Sequence, residues 1–559
     1  GEVPGTWSID QGGQLILQAA LGRITVTLVA DEPTWLDVTA DDGTGPEPAR
    51  LFKTIPFGTA LLDRFAIEDR DLAGATQLMG VGAFASSPTP PPHGGGTMVS
   101  TDGLAESSGA WSGNADGSAT FADKPGEETV VYLRADSVVT SPKVLHVVGR
   151  VRDSGTLAFR KIADAILTET PAKAGFTAAM VEDEVVYRLA GGTRSIVRFL
   201  AGGVREEWYQ DAGSFQERLA GTWTITPLSR SIRAPPGPGI QEIAALLVED
   251  LPTRWDVLAN SGTAIRRLAI QKTIPFGATL PDRFAVADRD LAGVATTVGV
   301  AALGAGAGAF TDGFNEEAFS WAQAGDGSVT LTSATEENVL YLLADSATAT
   351  PKSLNVVGRR YDAGRTAFTG VMDSILTETP AKTGLTAAMV EGKVLYRENT
   401  VAGNRSVVRY LAGGVREEWY QDAVSIQERL AGTWALGPLT GSLVALPGPG
   451  IPEVAAMLVD DLPTRWDLLV NTGAGIVPAS LEKTVPATAG EWPAAWTVVE
   501  RGVYGTTVGT YPITIYDNGT GRDPLGQTFT WGVQGDGSIL VSWPSTDTIT
   551  FYQIGRAHV

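Results

Sequence analysis

The apolar positions of the chain fall in runs of four to eight residues rich in Val, Ile, Tyr, Trp and Thr, punctuated by Gly, Asp-Gly and Pro-Gly. Val130-Val131-Tyr132-Leu133, Val144-Leu145-His146-Val147-Val148, Val185-Val186-Tyr187-Arg188 and Arg254-Trp255-Asp256-Val257-Leu258 are representative. Runs of this composition, bounded by turn residues, predict antiparallel strands. Asp116-Gly117, Asp326-Gly327 and Asp536-Gly537 are hairpin signals, because Gly supplies the positive φ that a two-residue primed turn requires. Gly237-Pro238-Gly239 and Gly448-Pro449-Gly450 break any helix, and the first precedes a strand expected over 242–249. Helical periodicity is confined to short pieces such as 371–378, about two turns. The segment from Ser86 to Gly96, SSPTPPPHGGG, reads as a loop insertion without a counterpart in the next copy of the pattern.

That pattern repeats. Gly-Thr-Trp at 5, 221 and 432, Lys-Thr-Ile/Val-Pro at 53, 272 and 483, and Trp111, Trp321 and Trp531, each five residues before Asp-Gly-Ser, recur at spacings of 210 to 219 residues. The segment LAGGVREEWYQDA is identical at 200–212 and 411–423, which points to recent internal duplication. Each period splits into two halves, and Leu72-Ala73-Gly74 against Leu219-Ala220-Gly221 suggests that the halves are related. The expected organisation is the end of a β unit over 1–58, then units over 59–164, 165–279, 280–373 and 374–488. A partial unit over 489–553 follows, with a tail at 554–559 resembling translated sequencing adapter. The fold class is all-β: tandem antiparallel β-meander or barrel-like units in an elongated repeat array. The recurrent Trp residues (7, 111, 223, 321, 434, 531) are expected to anchor cores.

Composition narrows the chemistry. Of 559 residues, 63 are acidic and 42 basic, a net charge of −21 that argues against nucleic acid as a partner. No apolar run is long enough for a transmembrane helix. Cysteine is absent, which removes disulfides, thiolate metal sites and Cys nucleophiles. The three histidines lie in the Pro/Gly loop (His93), in a strand (His146, with Asn355 in the next copy) and in the tail (His558), so no Ser-His-Asp site or His-ligated metal recurs per repeat. A start at Gly1 and a pattern entered midway lead us to expect a fragment of a longer exported protein.

A strand–turn meander with Gly-x-Trp packed across one end resembles tandem lipocalin-like units of secreted bacterial proteins, which carry Asp-Leu-Ala-Gly-Thr-Trp and a DGS hairpin. The copies at Asp71 and Asp290 lack the Trp, and no Thr-Asp-Tyr partner is present. The resemblance thus implies a β-meander without implying a ligand cavity.

Paired carboxylates are the remaining catalytic chemistry. Glu206-Glu207 beside Trp208-Tyr209, and Glu417-Glu418 beside Trp419-Tyr420, set acids next to rings suited to stacking on sugars. Neighbouring strand residues face opposite ways, so neither Glu pair acts as one site. The segment reads as a solvated hairpin with its Trp buried, and Trp208, Tyr209, Trp419 and Tyr420 are the candidate ligand contacts. No catalytic, cofactor-binding or metal-ligating residue is assigned. Glu68, Asp69, Asp71, Asp288, Asp290, Asp517 and Asp523 raise calcium, but each cluster offers too few oxygens, and no cofactor is expected. The expected function is a non-catalytic, secreted or cell-surface array acting as spacer, adhesive or binder of an unknown ligand or surface. A closed apolar cavity would favour a lipocalin-like carrier of small apolar ligands. A flat strip of exposed Trp and Tyr would favour carbohydrate-binding repeats of a larger enzyme.

Overall fold

Alternation along a strand leaves one apolar face, and eight antiparallel strands bury that face by curling until the first and last pair. The computed structural model describes residues 5–554 apart from 21, 88–93, 123–125, 236–241, 281, 400–401, 449–451 and 546. It contains four such closed, up-and-down barrels. The first runs from Arg64–Arg70 to Phe159–Glu169 and closes with Ala66 opposite Thr168. The second runs from Val185–Ala190 to Ile265–Ile274 and closes with Val186 opposite Lys272. The third spans Arg283–Arg289 to Phe368–Glu378, with Ala285 opposite Thr377. The fourth spans Val394–Asn399 to Ile476–Val485, with Leu395 opposite Lys483.

Two compact units divide the chain at residues 273 and 274. Unit one holds a five-stranded sheet from Gly5–Ile9 to Pro46–Phe52 and the first two barrels. Unit two holds the other two barrels and a six-stranded sheet from Ala494–Arg501 to Thr548–Phe551. Among the described residues no helix is long and apolar enough to cross a membrane.

The five-stranded sheet repeats the last five strands of the second and fourth barrels. Its register slips between Leu28 and Ala30 where theirs slip between Leu247 and Glu249 and between Leu458 and Asp460. Being open, it leaves Trp7 70% exposed, whereas Trp223 and Trp434 at the same motif position are 4% and 7% exposed. Trp7 is therefore not the core anchor expected; a ring is buried only when strands close over it. Trp111 is buried, and Trp321 and Trp531 are half-buried. All three occupy one environment, each donating its indole N–H to a backbone carbonyl, of Ala85 at 3.2 Å, Gly304 at 3.0 Å and Tyr516 at 2.9 Å.

The two recurrent motifs of the sequence meet in space. The backbone N–H after each Lys-Thr-Ile/Val-Pro donates to the glycine carbonyl of the following Asp-Gly-Ser: Phe57 to Gly117, Phe276 to Gly327, Ala487 to Gly537. This seats Phe57 and Phe276 in the first and third barrel cores, plugging one end. The turn itself differs from the expected primed pair. Asn114 N–H donates to Ser118 and Gly117 N–H to Asn114, and only Gly117 has positive φ, giving a three-residue loop with Gly after a tight turn. The Asp carboxylate caps it, accepting from the Ser118, Ser328 and Ser538 hydroxyls at 2.6 Å.

Other expectations shift. Strands Phe159–Glu169 and Phe368–Glu378 run through 164/165 and 373/374, so those barrels end at Glu169 and Glu378. Residues 371–378 are strand rather than helix, with 374–377 paired on both sides within the closing seam. Leu72-Ala73-Gly74 is a hairpin loop, whereas Leu219-Ala220-Gly221 lies within strand Phe215–Thr222, so the shared tripeptide marks no common position. Ile554 pairs with Thr484 and belongs to the fold. Residues 555–559, most of the Pro/Gly loop with His93, and Gly237-Pro238-Gly239 lie outside the described residues.

Within each unit the paired barrels share one junction. Arg64, 4% exposed, donates to Ala172 O at 3.2 Å and to Leu247 O; Arg283 makes the same contacts to Ala381 and Leu458. Burial pulls both guanidiniums down to about 10, so both stay charged at neutral pH. Glu106 receives the N–H of Ser229 at 2.8 Å, as Glu316 receives that of Thr440 at 2.9 Å.

Beside Arg283, Asp282 meets the ammoniums of Lys382 at 2.9 Å and Lys352 at 3.1 Å. Burial pushes its carboxyl up, but Lys382, the Arg283 backbone N–H and Lys352 outweigh that and hold it at about 2, below its ordinary 3.8. A depressed carboxylate contributes stability above its unfolded value and loses it as pH falls through the folded one. Wild type is expected to lose about 1–2 kcal/mol more than Asp282→Asn between pH 4 and pH 2. Urea titrations across that range check this; parallel pH profiles would refute it.

Candidate functional site

The third barrel is a cup. Its first strand enters at Arg283, beside the end plugged by Phe276 and Leu280, and Asp288 lies at the strand's far end. Between them is a cavity of about 180 Å³ walled by Val286, Val298, Leu303, Phe310, Phe319, Leu331, Leu340, Val356, Met372 and Leu376. The first barrel fills the matching space differently. There Phe84 packs with ring centroids 6.1 Å from Phe65 and 5.5 Å from Phe121. In the third barrel Leu303 follows Ala302 as Phe84 follows Ala83, and Leu331 faces Trp321 as Phe121 faces Trp111. Phe310 and Phe319 stand where the first barrel has Ser100 and Gly109, so the rings are redistributed toward the cavity wall rather than lost.

The mouth is polar. Asp288, Glu317, Ser333, Glu336, Asn338, Arg360 and Ser374 line it. Ser374 donates to Asp288 at 2.6 Å, Thr335 to Glu317 at 2.6 Å, and Asn338 Nδ2 to Glu336 at 2.8 Å; Arg360 Nε stands 3.4 Å from Glu336. Hydrogen bonds from Ser333 and Thr335 hold the Glu317 carboxyl below the usual carboxylate range. Three carboxylates against one guanidinium make the mouth acidic. Since Nδ2 is committed to Glu336, the Asn338 carbonyl oxygen is the free end of the amide; it is buried and has no hydrogen-bond partner, on a residue 6% exposed. An unpaired buried acceptor costs about 1–3 kcal/mol unless something donates to it.

The four aromatic candidates do not form one surface. Trp208 is 1% exposed and donates to Glu217 at 2.8 Å; Trp419 is half-buried and donates to Glu428 at 3.1 Å. Tyr209 and Tyr420 face the opposite side, inside their barrels, under the guanidiniums of Arg218 at 4.3 Å and Arg429 at 4.2 Å. Nor is the hairpin solvated, as expected: Glu207 and Glu418 are 4% and 2% exposed. Each faces inward to arginines, Glu207 to Arg218 at 3.5 Å and Glu418 to Arg416 at 2.8 Å. Their neighbours Glu206 and Glu417 lie on the other face, 3.9 Å from Arg198 and Arg409. Sequence reasoning missed these interior charges. The signal was an Arg or Glu in the inward register of otherwise apolar strands, as in Val186-x-Arg188.

The acidic turns are occupied locally. Asp71 accepts the N–H of Ala73 and Ala75, Asp290 those of Ala292 and Val294, and Asp523 those of Leu525 and Gln527, at 2.8–3.0 Å. Glu68 pairs with Arg267 at 2.8 Å. His146 Nδ1 lies 3.4 Å from Asp136, and Asn355 at the matching position donates to Asp345.

No family model and no curated protein matches the sequence. Among solved structures the chain is similar to a prolyl endopeptidase (11% identity over 72% of this chain and 54% of that one, TM-score 0.10). It is also similar to the WD40 domain of SCAP from fission yeast (8% over 72% and 86%, TM-score 0.08) and to a leech intramolecular trans-sialidase (8% over 88% and 94%, TM-score 0.09). The chain spans about half the length of the endopeptidase, and likeness at this level carries no functional argument.

Proposed function

We propose that this chain is a non-catalytic array of β-barrels, secreted or displayed at a cell surface, whose third barrel holds a small apolar ligand with a hydrogen-bond donor at one end. The cavity carries the reading. An eight-stranded barrel has an interior just wide enough to be filled by side chains or to hold one small ligand. An apolar cavity of about 150 Å³ accommodates benzene, so 180 Å³ suits a ligand slightly larger. The unpaired Asn338 oxygen asks for an O–H or N–H, and the acidic mouth disfavours a carboxylate head. The first barrel, filled by Phe84, supports a spacer role for that unit.

Toluene, benzyl alcohol and benzoate match in shape and differ in head group. Calorimetric titration is expected to give saturable binding in the order benzyl alcohol, toluene, benzoate. Leu303→Phe, which restores the ring of the first barrel, is expected to abolish binding with the melting temperature unchanged or raised. Asn338→Leu is expected to weaken benzyl alcohol about five- to tenfold while sparing toluene. Absence of saturable binding of both neutral ligands would overturn the reading.

A further inference from the structure

The second and fourth barrels carry a different chemistry. Inside the second, Arg205 and Arg218 approach the Glu207 carboxylate to 3.8 and 3.5 Å. Arg188, opposite Ser195, lines the same space, an excess of positive charge over the one carboxylate there, against walls of Val197, Phe199, Ile232, Trp255 and Ile270. Arg205 and Ser195 are 4% and 0% exposed, yet Arg205 Nε and Nη2 and the Ser195 hydroxyl have no hydrogen-bond partner, nor has Arg188 Nε. The closest approach of Arg205 Nη2 to Glu207 is 3.8 Å, too long for a hydrogen bond. Buried donors are ordinarily satisfied: Arg64 and Arg283 find backbone carbonyls, whereas these N–H groups find no acceptor in the chain and are open to an anion.

The fourth barrel repeats the surplus. Arg416 Nε and Nη1, Arg397 Nε and the Ser406 hydroxyl are likewise unpartnered, with Arg416 and Ser406 5% and 2% exposed. Arg205 and Arg416 lie in the identical duplicated segment, but Arg188/Arg397 and Ser195/Ser406 lie outside it. In those flanks Leu189-Ala190-Gly191 has become Glu398-Asn399-Thr400, while the Arg and the Ser persist.

We infer that the second and fourth barrels each bind one short-chain carboxylate, its oxygens accepting from the inward Arg (205 or 416) and Ser (195 or 406), its alkyl group against the apolar wall. The cavity of the second barrel, about 80 Å³, has room for an anion of the size of acetate or propionate. The apolar wall favours a carboxylate with a tail over a fully hydrated inorganic oxyanion, and Arg is suited to carboxylates through its fork of donors.

The test is calorimetric titration of the full chain with sodium propionate, referenced to sodium chloride at equal ionic strength. Two equivalents are expected to bind saturably, and one equivalent in Arg416→Met. Ser195→Ala and Ser406→Ala, which remove only a hydroxyl, are each expected to weaken one of the two sites about tenfold, so the outcome stands even if the Arg variant fails to fold. No saturable uptake by the folded wild type would overturn the inference, as would two full-affinity sites in folded Arg416→Met or in both Ser variants. Equal binding of inorganic phosphate would overturn the carboxylate assignment.

Discussion

Trp223→Ala is expected to destabilise the second barrel by about 3–5 kcal/mol, while Trp7→Ala in the same Gly-Thr-Trp motif costs no more than about 0.5 kcal/mol. Trp223 packs edge-on against Phe199 with centroids 5.7 Å apart and donates its indole N–H to Leu200 O at 3.1 Å, inside a core that includes Phe176, Ile232, Leu247 and Trp255. Removing the ring deletes its burial, leaves a cavity in a closed barrel that cannot collapse around it, and strands a backbone carbonyl. Trp7 follows the same Gly-Thr pair but has 70% of its surface in water, so little is lost. Urea unfolding with hydrogen exchange read over 185–274 measures the first effect, and the same exchange over 5–52 the second. Equal costs would mean that the motif acts through its local strand rather than through barrel closure.

Gly327→Ala is expected to cost about 2–4 kcal/mol, against about 1 kcal/mol for Gly364→Ala in the same barrel. Both glycines sit at nearly equal positive φ, +81° and +82°, so both variants incur the left-handed penalty. They differ in what a Cβ would meet. At Gly364 there is open space, whereas at Gly327 it would lie 2.9 Å from Pro275 Cα, where the Lys-Thr-Ile-Pro segment crosses the turn. The backbone must then separate, loosening the Phe276 plug. The difference between the two variants in chemical denaturation isolates that contact, and equal values would show that the plug yields without cost.

Much of this architecture was legible in the chain. Short β-branched runs with Gly and Asp-Gly punctuation can bury an apolar face only as antiparallel sheet, and the spacing of Gly-Thr-Trp, Lys-Thr-Ile-Pro and Asp-Gly-Ser set the period. Local chemistry was less legible where it depended on φ at single residues. Asp116-Gly117 signalled a hairpin, but which residues take positive φ, and so which loop forms, is settled by the register of the flanking strands.

Strand pattern, repeat period, charge balance and the want of thiol or recurrent histidine chemistry were determined by the sequence itself, because each depends on residue type and near neighbours. The fate of the Trp rings, the cavity of the third barrel and the charged interiors of the second and fourth were decided only by tertiary closure. A barrel brings residues of distant strands onto one inner face, so that Leu303, Phe310, Phe319 and Leu331, far apart in the chain, wall one space. In the same way Glu207, solvated in a lone hairpin, becomes the buried counter-charge of arginines once eight strands surround it.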